Sequence, residues 1–207
     1  RMKVFREANP GKTCLSEEEY RRCLGMRNSV RRHPIAQRLL EAGQAEQVIR
    51  WVDDRTKTPM KARIDWRRAA FVPVELKTAR SIDIHRFAGA AEGLGYFHQV
   101  AMYRRGLATL ERCSRAAIAP HFVVVENTEP FDVLVGEVPP DSLDEADEEI
   151  DKLLVAVAEA RRTGIWPGRY EEKVETLRRP AWTQARLEDV EVLETDPADA
   201  GPLEMEG

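Results

Sequence analysis

The chain has 207 residues, 43% of them hydrophobic, and a net charge of −4. That length allows one domain with a substantial core but not two large ones, and no stretch reaches the roughly 18 to 20 consecutive apolar residues that a membrane helix needs. The opening RMKVFREANPGK lacks the apolar core of a signal peptide, and Cys14, Cys23 and Cys113 have no CxxC spacing. A soluble cytoplasmic protein with free thiols, and with neither zinc nor an iron–sulfur cluster, is therefore expected.

The negative charge is concentrated at the end. Residues 187–207 hold eight acidic residues and no basic one, so the body before them carries +4. A tail of that composition, rich in acid with Pro and Gly, is expected to be disordered. The mildly basic body is compatible with an anionic partner.

In chain order, Ser16-Glu17-Glu18-Glu19 is a capping box that opens a helix running to about Arg31, and His33-Pro34 ends it. A second short helix, about 35–42, stops at Gly43. Next, Gln47, Arg50 and Asp53 interleave with Val48, Ile49, Trp51 and Val52, the alternation of a strand. The turn formers DDRTKTP at 53–59 lead to a second strand at 60–66, so the two form a hairpin. FVPVELKTA is a third strand, in which alternation puts Val72, Val74 and Leu76 on a core face and Glu75 with Lys77 on a charged one.

Residues 83–112 are helical in character, divided by Gly93 and Gly95 into two helices, the second beginning near Tyr96. Two further strands fall at about 120–126 and 132–138, closed by Pro139-Pro140. Ser142 and Glu145 form a second capping box for a helix to about Thr163, with Gly164 as its stop. The order αα-βββ-αα-ββ-α predicts an α/β protein of the α+β kind, a central mixed sheet flanked by helices. One domain over 1–185 would comprise a helical part at 1–43, a core at 44–163 and an irregular wrap at 164–185, followed by the acidic tail at 186–207.

Asp65 closes the second strand, and Glu75-Leu76-Lys77 follows on the third. Spacing alone fits an exposed cross-strand ion pair equally well. The apolar opposite face argues for a central strand, where charged groups are costly unless they serve a purpose. Asp65, Glu75 and the Leu76 backbone carbonyl form a hard oxygen set suited to magnesium, with Glu46 as an additional acid. Lys77 projects from the same strand face as Glu75, where it can orient or help deprotonate a water and neutralise a phosphate. Gln99 and Tyr103, four apart on a helix, share one face and could hold Lys77 or a phosphate oxygen. Lys61, Arg63, Arg104 and Arg105 are candidate DNA-binding contacts to phosphate. No Gly-rich phosphate loop or serine nucleophile motif is present, which leaves ATP hydrolysis and acyl transfer unsupported.

The ordered set AEQVIRW, KARID, VELKTA, GYFHQVAMY, then GIWPG with LRRPAW resembles the exonuclease-eight-like branch of the PD-(D/E)xK nucleases, phage recombination exonucleases related to lambda exonuclease, over about residues 12–182. The resemblance implies a restriction-endonuclease-like core, with Asp65, Glu75, Lys77, Gln99 and Tyr103 as the active site and Glu46 at the upstream acidic position. It also implies magnesium, or manganese in its place, and 5′-to-3′ digestion of linear double-stranded DNA. A single-strand annealing protein as partner and a ring-shaped homo-oligomer are further implications. This chain departs from the family pattern in three places. It begins after the family's upstream histidine-bearing helix, which puts full activity in question; it writes Tyr96-Phe97-His98-Gln99 where the family places the histidine one residue earlier; and it has Ile64 where the family name has proline. The alternative to an exonuclease is a nuclease fold kept for gripping DNA or a protein partner, with cleavage weak or lost.

Overall fold

The computed structural model describes residue 5 and residues 7–168, 170–171 and 174–178. The acidic tail lies outside them. The described residues up to Gly164 form one compact unit, built on a five-stranded sheet in the order β1-β2-β3-β4-β5.

Helix α1, Glu17–Arg32, starts at the expected capping box: the Glu19 amide donates to Ser16 Oγ at 3.2 Å, and the Ser16 amide donates to Glu19 Oε2 at 2.7 Å. His33 ends α1 and caps α2, Pro34–Leu40, by accepting the Ala36 amide on Nδ1. Strands β1, Gln44–Val52, and β2, Pro59–Ala69, make the antiparallel hairpin. Its turn is fastened by Asp53, whose carboxylate accepts both the amide and the hydroxyl of Thr56 at 2.8 Å. Strand β3, Val72–Ala79, is antiparallel to β2 and parallel to β4, His121–Glu126.

Parallel neighbours require a crossover. It is made by α3, Ile84–Gly93, and α4, Tyr96–Glu111, with Gly95 between them in the left-handed region at φ 70°. Strand β5, Val133–Glu137, completes the sheet, and α5, Pro140–Thr163, ends at left-handed Gly164 as expected.

Helices pack on both faces of the sheet, covering one of them only in part. On one, Ile49, Trp51, Ile64, Phe122 and Val124 pack with Phe87, Val100, Leu107 and Ile150 from α3, α4 and α5. On the other, Val74, Val123 and Val125 pack with Val30, Ala36 and Leu39 from α1 and α2. Central β4 is accordingly apolar on both sides.

Several expectations are corrected. Helix α5 begins at Pro140 and has no side-chain cap, so Ser142 and Glu145 do not form a capping box. The preset φ of proline and its missing N–H suit the first helical position. β1 starts at Gln44 and β2 runs on to Ala69, both longer than the alternation indicated. Leu76 does not join Val72 and Val74 in the core but is 47% exposed, because α1 and α2 cover Val74 and leave the strand beyond it open. The charged face bearing Glu75 is not solvated either: Glu75 is 2% exposed, beneath α4.

One irregularity positions everything that follows. Residues two apart on a strand share a face, yet Ile64 belongs to the α4-side core and Trp66 to the α1-side cluster. Strand β2 rolls over at Asp65. Opposite it, between the paired residues Ala45 and Gln47, Glu46 has a left-handed φ of 55°. Pairing of β2 with β3 runs from Trp66–Val74 to Ala69–Val72, and the two strands part at Asp65.

Candidate active site

The fork between β2 and β3 collects the predicted residues. Asp65 fills it by accepting the Leu76 amide on Oδ2 at 3.0 Å. An extended residue presents its N–H and C=O to the same edge of the strand, so the Leu76 carbonyl also faces the fork. Glu75 points into the α4 side. Its Oε1 accepts from Lys77 Nζ and from Gln99 Nε2, each at 2.7 Å, and its Oε2 lies 2.8 Å from the Tyr103 hydroxyl. Lys77 Nζ also donates to Gln99 Oε1 at 3.0 Å and sits 4.1 Å from the Tyr96 ring centroid.

The Tyr103 hydroxyl accepts from Gln99 Nε2 and has two candidate acceptors at 2.8 Å, Glu75 Oε2 and the Arg63 carbonyl. It has a single proton to give. Burial pushes the Glu75 carboxyl above the ordinary glutamate range; the bonds from Lys77 and Tyr103 oppose this, and nearby Asp65 adds to it. Protonated Glu75 donates to Tyr103, which then donates to the Arg63 carbonyl. Ionised Glu75 takes the tyrosine proton for itself. Burial and the adjacent Glu75 charge push the Tyr103 phenol far upward, so it stays a donor.

Asp65 lines a groove of about 780 Å³ between the sheet and helices α1 and α2, together with Arg27, Arg31, Glu46, Leu76 and Thr78. Glu46 is in that groove but is ion-paired with Arg63 at 3.0 Å. Among the described residues no three His, Cys, Asp or Glu side chains converge as a metal cluster. The available donors are therefore the two carboxylates and the Leu76 carbonyl. That set fits magnesium, which binds through one or two carboxylates and retains several waters.

The expectation for Arg104 and Arg105 is corrected. They are 2% and 4% exposed, on the α4 surface that packs against α5. Arg104 pairs with Asp144 and Asp147, and Arg105 with Asp53, Asp147 and Asp151. Guanidinium groups buried among carboxylates are not offered to DNA. Lys61 and Arg63 are exposed. Tyr96 is the residue that motif spacing missed. Its signal was present, since positions 96, 99 and 103 form one helical stripe at i, i+3, i+7. His98 turns away from this cluster to Glu149, at 2.7 Å.

The sequence profile of the family described as "PDDEXK-like domain of unknown function (DUF3799)" matches residues 1–180. No curated protein matches the chain by sequence. Among solved structures, the chain is similar to the crystal structure of a "Putative exonuclease" from Eubacterium rectale, at 13% identity and a TM-score of 0.63, with 91% of this chain and 74% of that one covered. At that identity the likeness is one of fold.

Proposed function

Because this chain belongs to the PDDEXK-like domain family, we propose that it is a metal-dependent nuclease that hydrolyses phosphodiester bonds of linear double-stranded DNA as an exonuclease, from 5′ to 3′. The observation that carries this is the convergence of Lys77, Gln99 and Tyr103 on buried Glu75, with Asp65 and the Leu76 carbonyl in the adjoining fork. A carboxylate this buried costs several kcal/mol unless it is paired or put to use. A surface ion pair would need no tyrosine and glutamine to hold it. Assignment to DNA, polarity and the recombination setting rests on the ordered motif resemblance, and an annealing partner and a ring-shaped homo-oligomer follow from the same source.

Asp65, Glu75 and the Leu76 carbonyl would hold magnesium or manganese; Glu46 lines the same groove as Asp65, paired with Arg63. Bound there, the metal would supply Lewis-acid polarisation of the phosphate and a more acidic water. The protein's own part is positional. Gln99 uses its amide nitrogen on Glu75 and its oxygen on Lys77, which fixes both side chains relative to each other. Lys77 has three N–H donors, of which two are taken. The third is free to orient water or to donate to a non-bridging phosphate oxygen as charge develops there.

End-labelled linear DNA and closed circular DNA incubated with magnesium, beside Glu75→Ala and Lys77→Ala, test this. Loss of linear DNA alone, abolished in both variants, is the expected result. Undiminished cleavage by Lys77→Ala would overturn the role given to Lys77. A wild type that binds DNA and cleaves neither substrate would establish the binding-module alternative.

A further inference from the structure

Helices α1 and α2 pack over Val74, Val123, Val125 and Trp66 at one end of β2, and leave the same face of the β1–β2 hairpin beyond Asp65 open. Val48 and Val52 are 48% and 51% exposed there, and with them stand Arg50, Lys61 and Arg63. The register puts Arg50 directly opposite Lys61, and Arg63 opposite Val48. Like charges facing each other across a strand pair are destabilising. Neither Arg50 nor Lys61 has an ion-pair partner among the described residues. Nothing among the described residues accounts for this arrangement; a polyanion would.

We infer that this face is a docking track for the backbone of a double-stranded nucleic acid, leading along the hairpin to the fork at Asp65. The inference rests on the nuclease reading for its choice of DNA. Same-face residues on β2 repeat at about 6.6–6.8 Å, close to the through-space separation of neighbouring phosphates once the turn of the helix is added to the rise of about 3.4 Å per phosphate on one strand, so Lys61 and Arg63 are spaced to meet successive phosphates. Arg50 broadens the track sideways. The exposed apolar residues between the cations are valines. Single strands are gripped by stacking bases on aromatic platforms, and this surface has none; a duplex, with its bases turned inward, needs only the cations. The track meets the groove where Arg63 pairs with Glu46, which delivers the bound strand to Asp65.

The test is binding of a short fluorescein-labelled DNA duplex by anisotropy over a range of potassium chloride concentrations, in calcium so that turnover is suppressed. Arg50→Ala/Lys61→Ala is compared with wild type and with the charge-matched Lys152→Ala/Arg161→Ala on α5. Each phosphate contact contributes about 0.9 to the slope of log K against log salt, so the hairpin variant should be shallower by about 1.8 and the α5 variant unchanged. An unchanged slope in the hairpin variant, or a wild type that does not bind the duplex, overturns the inference. So does a change in molar mass by light scattering in the hairpin variant, which would assign the face to a second copy of the chain. Cleavage is read separately: a protein that binds with the expected slope yet cuts nothing sinks the nuclease proposal and leaves the docking face standing.

Discussion

Gly106 offers a test of whether close approach of α4 to the sheet positions the site. It lies on α4 one turn beyond Tyr103, and a Cβ there would stand 2.7 Å from Ile49 Cδ1 and 2.8 and 2.9 Å from Trp51 Cζ3 and Cε3. Ordinary carbon contacts begin near 3.5 Å, so Gly106→Ala forces displacements of about 0.6–0.8 Å. Ile49 and Trp51 are 4% and 8% exposed within a packed core, so much of that displacement falls on the helix. Alanine gains about 1 kcal/mol in helix propensity over glycine, while overpacking costs about 1–3 kcal/mol. The net loss of up to about 2 kcal/mol lowers Tm by as much as about 8 °C for a chain of this size. Activity should fall more sharply, because Gln99 and Tyr103 ride on the same helix and reach Glu75 at 2.7 and 2.8 Å; a misplacement approaching 1 Å costs on the order of 10²-fold. Differential scanning fluorimetry beside a nuclease assay reads both. A variant with raised Tm and full activity would refute the idea that glycine sets the height of α4 above the sheet.

Other outcomes follow from the same contacts. In metal-free buffer, Glu75 is held above its unfolded value, so its contribution to stability is complete below the ordinary glutamate range and is lost as pH rises through the folded value. The Tm difference between wild type and Glu75→Gln should therefore move against wild type with rising pH from about 4.3, and a pH-independent difference would contradict the shift. Tyr103→Phe removes a donor to Glu75 Oε2 and should cost about 1–3 kcal/mol of stability, read by urea denaturation, with metal-dependent cleavage also reduced. Asp147→Leu leaves Arg104 and Arg105 short of a buried partner and should cost about 3–5 kcal/mol, detectable as a large fall in midpoint; a loss below about 1 kcal/mol would place it with exposed pairs. Calcium in place of magnesium should support DNA binding without turnover, its looser coordination misplacing the nucleophile.

Much of the fold was legible because local signals agreed with tertiary ones. The box at Ser16, the break at Gly93 and Gly95 and the stop at Gly164 each have a backbone cause that needs no partner. The candidate site was legible less from spacing, which fitted an exposed ion pair equally well, than from the apolar face opposite Glu75 and the ordered motif resemblance; Glu75, Lys77, Gln99 and Tyr103 are joined by hydrogen bonds, with Asp65 in the adjoining fork. The roll of β2 was not legible. Alternation predicts one face for Ile64 and Trp66, and only the parting of β2 from β3 separates them. Arg104 and Arg105 were misjudged for a related reason. They stand about 100° and 200° around the helix from Tyr103, so they could not share its face, but the acidic wall of α5 that receives them is some forty residues away in sequence. Leu76 failed likewise: Val72 and Val74, on the same strand face, pack against α1 and α2, and where those helices end is not written near it.

The crossover between β3 and β4 has a kinetic consequence. Asp65 and Glu75 come from adjacent strands, and closing so short a loop costs little entropy. Gln99 and Tyr103 reach them only when α3 and α4, in the connection between the parallel strands β3 and β4, are carried back over the sheet. The carboxylates are thus joined by short-range contacts, and the residues that clamp them by longer-range ones. If α4 docks after the folding transition state, slackening its anchors at Gly106 or Asp147 would appear as faster unfolding with little change in the folding rate. The working life of the site would then be set by how long α4 stays down.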